Sequence, residues 1–454
     1  MDGAPEAISI SQGCTHSPLF STFKIIFVYL KRLPGGRNLK APQISKFISL
    51  FATLALGIVA PASGQVQMMR GGQVNIPESS IERKGDIGLR AHTNIKLFVP
   101  AGAHLVTSAA ATFGPPFVGF LFETPASLAC IYNVVAQANG CNPNTVSSVA
   151  TGGGVSIAVV DAFDDPGAAK DLAKFSKQFG LPPANFKVVF ASGSRPLNDP
   201  GWEIEESLDV QWAHAMAPSA KLYLVEAASN SFYDLLTAET VAASLVANDG
   251  GGVVSNSWGG SEFNGEIDYD SFFSYPSVVY FASTGDGPGV IYPSASPNVV
   301  AVGGTTLSRN PTTGNFIFES AWNSTGGGLS QYEAIPSYQK SVAKVVGTQR
   351  GVPDVAAEAD PNSGVWVWDS GNGGWYIVGG TSASSPIWAG IVSAAGSNMG
   401  SSWAELTSIY RNRMNKADFT DIKSGVCGPW NGNLAIPGYD LCTGVGSPLG
   451  SGGK

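Results

Sequence analysis

Trp375-Tyr376-Ile377-Val378-Gly379-Gly380-Thr381-Ser382-Ala383-Ser384-Ser385-Pro386-Ile387-Trp388-Ala389-Gly390-Ile391-Val392 reads as a strand, a tight glycine turn and a helix. The β-branched and aromatic run suits an extended segment, Gly379-Gly380 lets the backbone turn sharply, and the stretch after Ser382 has helical composition. Ser382 then stands at a helix N-terminus, where unpaired N–H groups and the dipole favour developing negative charge. By itself the motif equally suits Thr381 and Ser382 as caps of a buried helix. Working outward, apolar strands are expected at Val155–Val160, Leu222–Val225, Val253–Asn256, Val278–Ala282 and Val299–Val302, interleaved with helices at Ala168–Phe179, Glu203–Met216 and Leu235–Ala247. Alternation of this kind predicts an α/β fold, a doubly wound and mostly parallel sheet with helices on both faces.

A serine nucleophile needs a base. The chain has four histidines, His16, His92, His104 and His214. Carboxylates offer another route. Glu205 and Asp209 stand four positions apart in a helical stretch and therefore project from one face, one turn apart. Left exposed, such a pair is a solvated face; buried, it raises one pKa strongly and shares a proton, so that one member can act as a base in acid. Asp286 ends the apolar run Val278-Val279-Tyr280-Phe281-Ala282-Ser283-Thr284-Gly285-Asp286-Gly287, at the sheet edge where sites form in open α/β folds. A protonated Asp there could donate to an oxyanion; the same tripeptide could simply shape a turn.

Taken together, these residues resemble the sedolisin family of serine-carboxyl peptidases, whose fold is subtilisin-like. The resemblance runs from about Thr124 to Pro448 and also rests on Ser255-Asn256-Ser257-Trp258-Gly259, Val302-Gly303-Gly304-Thr305, Gly326-Gly327-Gly328-Leu329-Ser330 and Val352-Pro353-Asp354-Val355. It implies Ser382 as nucleophile, Glu205 as general base and later acid, Asp209 as its proton-sharing partner and Asp286 as oxyanion donor, with Asp161 a supporting acid at the end of the first strand. It further implies one calcium ion, Ca2+, held by the carboxylates of Asp421 and Asp440 and the carbonyls of Ile422, Ile436 and Gly438 in a C-terminal loop. Relatives commonly carry Gly where this chain has Ile436. The expected activity is acid-acting hydrolysis of peptide or protein substrates, as an endopeptidase or a tripeptidyl-peptidase. Two alternatives stand beside it. One is a histidine-dependent subtilase using Asp161 and His214, which the missing His-Gly-Thr motif and Asp286 in place of an oxyanion Asn disfavour; the other is a non-catalytic binding protein on a peptidase scaffold.

Composition agrees with an exported globular protein. Only 13% of residues are charged, Gly (56) and Pro (29) abound, and the net charge of -8 argues against nucleic-acid or anionic-membrane partners. A low density of charge also limits repulsion when carboxylates protonate. Lys46 followed by the apolar run 47–60 and by Pro61-Ala62-Ser63-Gly64 reads as a signal peptide over 44–64, too short for a comfortable span. Residues 1–43 then read as a misassigned start or a long n-region, 65–123 as a short pro-like region, and 124–450 as the peptidase domain. The expected location is extracellular or periplasmic, and the mature protein is expected to be a monomer without a membrane anchor. Removing Cys14 leaves Cys130, Cys141, Cys427 and Cys442; of three pairings, Cys130 with Cys141 and Cys427 with Cys442 close short Asn/Gly-containing loops. Ile95–Val99 and Phe117–Leu121 are strand-like pieces of the pro-like region.

Overall fold

The computed structural model describes residues 72–100, 114–117, 120–428 and 432–453, all within one compact unit that spans Val66–Lys454. The signal peptide at 44–64, the segment 1–43 and Cys14 lie outside the described residues.

In chain order the strands that matter are β1 (Gly72–Asn75), β2 (His92–Thr93), β3 (Lys96–Pro100), β4 (Ser156–Ala162), β5 (Asn185–Phe190), β6 (Lys221–Ala227), β7 (Gly252–Asn256), β8 (Trp258–Ser261), β9 (Val278–Ser283), β10 (Ile291–Tyr292), β11 (Val300–Arg309) and β12 (Phe316–Ala321). The helices are α1 (Pro125–Ile131), α2 (Ala168–Phe179), α3 (Pro200–Met216), α4 (Phe232–Asn248) and α5 (Thr381–Ala394). The main sheet runs β12-β11-β9-β7-β4-β6-β5, with strand Val355–Glu358 also pairing β11. Every pairing in it is parallel except β11 with β12. Period-two alternation splits its two cores: Ile157 and Val159 of β4 face the core that includes Leu208, Trp212, Ile387 and Ile391, while Ala158 and Val160 face Leu235, Ala242 and Val246 of α4.

The five strands and three helices expected from Val155 onward are all present, with shifted ends, β11 running on to Arg309. Sequence reading missed β5, whose Asn185-Phe186-Lys187 start is polar because an edge strand keeps water on one side. Ile95–Val99 appears as β3, which pairs antiparallel with strand Gly374–Gly379 and with β1. Of 117–121, the described residues are not paired as a strand; Phe117 and Phe120 instead pack on Trp366 as tilted and edge-on rings. Both expected disulfides are formed, Cys130–Cys141 and Cys427–Cys442. Among the described residues no helix is long and apolar enough to cross a membrane.

Candidate active site

Helix α3 begins with Asp199 as N-cap, accepting from the Gly201 and Trp202 N–H groups at 2.9 and 3.2 Å, and with Pro200 in its first turn, where a missing N–H costs nothing. From Trp202 to Met216 it is buried on all sides, so its acidic residues have no water to face. Glu205 and Asp209 are both fully buried, and neither carboxylate oxygen of Glu205 has a hydrogen-bond partner. Burial, followed by the facing charges of Asp209 and Asp161, holds Glu205 well above the ordinary carboxylate range, with the Ser382 hydroxyl opposing in part. Asp209 is raised by burial and by Asp161. Asp161, at the end of β4 with both oxygens unpartnered, is pushed up to about 8 by burial.

Ser382 sits in the first turn of α5, packed against α3. Its hydroxyl donates to the Ser257 carbonyl at 3.0 Å. Pro386 lacks the N–H that would close the helical bond to the Ser382 carbonyl four residues back, and the Ser257 hydroxyl reaches that carbonyl at 3.2 Å instead. The same hydroxyl lies 2.8 Å from Asp209 Oδ1. One hydrogen cannot serve two acceptors, so the arrangement closes when Asp209 is protonated and donates to Ser257, which donates to Ser382. That is the protonation state burial favours. Ser257 is held in place by its neighbour Trp258, whose indole N–H donates to the Val160 carbonyl at 2.9 Å.

Asp286, half-buried, completes the first turn of α5: its Oδ1 accepts from the Thr381 N–H at 2.7 Å and the Thr381 hydroxyl at 3.1 Å, while Oδ2 is buried without a partner. Burial pushes its pKa up to about 6, against the Lys96 charge and the two Thr381 donors. Gly380 has φ 107°, and a Cβ there would lie 2.5 Å from Asp286 Oδ2 and 2.0 Å from the Asn94 carbonyl oxygen. Only glycine leaves that space open. Gly326 of the Gly-Gly-Gly-Leu-Ser stretch is likewise required, because a Cβ would fall 1.8 Å from the Thr284 carbonyl beneath the loop that carries Asp286.

The structure thus brings Ser382, Glu205, Asp209, Asp286 and Asp161 around the first turn of α5. His214 is not among them. It lies nine residues beyond Glu205, about 13 Å along the helix axis, and its ring bonds the Pro182 carbonyl at 3.0 Å. Asn94, Lys96 and Ser283 also reach the site and were not read from the sequence: Lys96 donates to the Asp286 carbonyl at 2.7 Å, and Asn94 bonds Ser382 across 288 positions of chain. No local pattern marks so distant a contact. Ser257 did lie inside a quoted motif, although its bridging position was not foreseen.

The proposed calcium residues also converge. Asp421 Oδ1 accepts from the Gly438 N–H at 3.0 Å and Asp440 Oδ2 from the Ile436 N–H at 3.1 Å, so both carboxylates meet the loop 436–438. Ile436 keeps an ordinary negative φ, and the left-handed position falls on Gly438, φ 88°. Among the described residues no group of three or more His, Cys, Asp or Glu could hold a metal ion, so such a site would depend on carbonyl oxygens.

Comparison with known proteins gives a consistent family. The subtilase family model matches residues 198–426, half of the chain. Kumamolisin from Bacillus sp. (strain MN-32) is 32% identical over 320 residues, 62% of this chain and 56% of kumamolisin. Sedolisin from Pseudomonas sp. (strain 101) is 36% identical over 173 residues, 35% of this chain and 28% of that protein. The chain therefore spans about half of kumamolisin's length, and less of sedolisin's. The solved structure of Pseudomonas sedolisin, a serine-carboxyl proteinase complexed with two molecules of pseudo-iodotyrostatin, matches with a TM-score of 0.60 at 26% identity, covering 72% of this chain and 95% of that one. The parallel sheet, the order of its elements and these likenesses agree: the chain belongs to the subtilase family and, within it, to the sedolisins.

Proposed function

We propose that the chain is an acid-acting serine peptidase that hydrolyses peptide bonds through Ser382, Glu205 and Asp209, with Asp286 as oxyanion donor. The observation that carries this reading is the fully buried Glu205 and Asp209 pair, one helical turn apart, with Asp209 linked through the Ser257 hydroxyl to the Ser382 carbonyl. In the reactive state the pair shares one proton, carried by Asp209, and Glu205 is the anionic member. Glu205 takes the Ser382 hydroxyl proton as Oγ attacks a peptide carbonyl carbon. The resulting oxyanion accepts from the Ser382 N–H and from protonated Asp286 Oδ2. Glu205 then passes the proton to the departing amine, and water repeats the sequence on the acyl-enzyme, restoring the serine. A histidine-dependent route has no support in the placement of His214, and a filled catalytic set speaks against a non-catalytic scaffold.

Acid dependence follows from Asp286, whose donor proton is lost as pH rises through about 6. Hydrolysis of a quenched peptide pool, followed from about pH 3 to 8, is expected to be greatest in acid, to fall above pH 6 and to vanish in Ser382→Ala. An optimum above neutrality would sink the Asp286 assignment; undiminished hydrolysis by the alanine variant would sink the nucleophile.

The two disulfides support a life in an oxidising compartment, as does the secretory reading of 44–64. Around the Cys427–Cys442 bridge, Asp421 and Asp440 with the carbonyls of Ile422, Ile436 and Gly438 would supply hard oxygens to one calcium ion. When bound, the ion would neutralise the two carboxylates and tie the 421–422 and 436–440 segments together. Chelation is then expected to lower the unfolding midpoint, by an equivalent of about 2.7 kcal/mol against calcium at a hundred times its dissociation constant. An unchanged midpoint would remove calcium from this account.

A further inference from the structure

Residues 92–95 run through the cleft as an extended segment. His92 and Thr93 pair antiparallel with Gly259 and Trp258 of β8, and Lys96 resumes pairing with Gly379 on the far side. Between them Asn94 crosses the nucleophile: its N–H donates to Ser382 Oγ and its carbonyl accepts from the Ser382 N–H, both at 3.1 Å. The carbonyl oxygen borders the same space at Gly380 as Asp286 Oδ2. The Asn94–Ile95 peptide bond is therefore presented as the bond to be cut, and the Asn94 side chain fills the pocket ahead of it. There its Nδ2 donates to Ser283 Oγ at 2.7 Å, a fully buried hydroxyl at the end of β9. The neighbouring Thr284 Oγ1 is buried without a hydrogen-bond partner.

We propose that this pocket selects a carboxamide side chain, so that the preferred substrates carry asparagine immediately before the cleaved bond, with Ser283 the residue that sets the preference. The inference rests on the peptidase reading above. An apolar side chain would leave Ser283 Oγ buried and unpaired, adding to Thr284. An ionised aspartate would bury an uncompensated charge there. A carboxamide is neutral and brings the donor that Ser283 Oγ accepts. The hydrolysis is the one already written, forming the Ser382 Oγ–carbonyl bond, breaking the bond to the next residue's nitrogen and consuming one water.

The test uses the full chain at its acid optimum with peptides built on His-Thr-Xaa-Ile, Xaa being Asn, Leu, Ala or Asp, and with cleavage sites mapped by mass spectrometry. Asparagine peptides are expected to be cut after Asn with kcat/KM about tenfold above the leucine and alanine peptides, one neutral hydrogen bond's worth. In Ser283→Ala that ratio is expected to fall to about one. The wild-type ratio decides the question even if the variant does not fold. Ser382-dependent hydrolysis without a preference for asparagine overturns this inference and leaves the peptidase reading standing. Absence of any Ser382-dependent hydrolysis overturns both.

Discussion

Replacing Glu205 by glutamine is expected to lower kcat/KM on peptides by about 10²–10⁴-fold, the range that a positioned general base supplies, while raising the unfolding midpoint at neutral pH. The two effects have one origin. Glu205 is fully buried, its oxygens bond no donor, and it feels the charges of Asp209, one turn along the same helix, and of Asp161 on β4. Ionising such a carboxylate costs stability that a neutral amide of the same shape does not. Asp209→Asn is expected to be milder in rate and to move the acid limb of the pH profile, because it removes the shared proton and leaves the acceptor. Rates on a quenched peptide and thermal melts at neutral pH check both halves. A glutamine variant that keeps full activity would show that another group takes the serine proton; one that loses activity and stability together would show Glu205 to be a structural acid.

Residues close in sequence made much of this site legible. The strand-turn-helix around Ser382 and the four-residue spacing of Glu205 and Asp209 are local patterns, and local patterns survive folding whenever an element forms as composed. Whether the acid pair was a solvated face or a buried dyad could not be read from spacing; that depends on α2, α5 and strand Val365–Asp369 closing over α3, all of them contributions from distant chain. The threading of 92–95 past Ser382 was illegible for the same reason. Residues 65–123 read as a separate pro-like region, yet β1 and β3 extend the sheet formed by Val365–Asp369 and Gly374–Gly379. Ile436 shows the converse: it stands where relatives commonly carry Gly, and the left-handed residue of the loop is Gly438.

Burial of so many acids also fixes how the fold should respond to pH. Asp161 is raised from 3.8 to about 8, Asp165 to about 7 and Glu226 to about 9, each chiefly by burial, and Glu205, Glu206 and Asp209 move in the same direction. A carboxyl whose folded pKa exceeds its unfolded one stabilises the fold fully below the unfolded value, where both states are protonated. That contribution is lost as pH climbs to the folded pKa, because the unfolded chain releases a proton the native state retains. For Asp161 the window is pH 4 to 8, with a slope of about 1.4 kcal/mol per pH unit for each such proton. Denaturation midpoints measured at pH 4, 6 and 8 in a Ser382→Ala background, which prevents self-digestion, are expected to fall steadily, and Asp161→Asn to flatten the fall by about one proton's slope. A midpoint that is level or rises across this window would mean that the acids ionise in place, and the proton shared by Glu205 and Asp209 would then have no basis. On the proposed mechanism, the burial that would keep a proton on Asp209 and Asp286 is the same burial that makes the fold lose stability as the solution turns neutral.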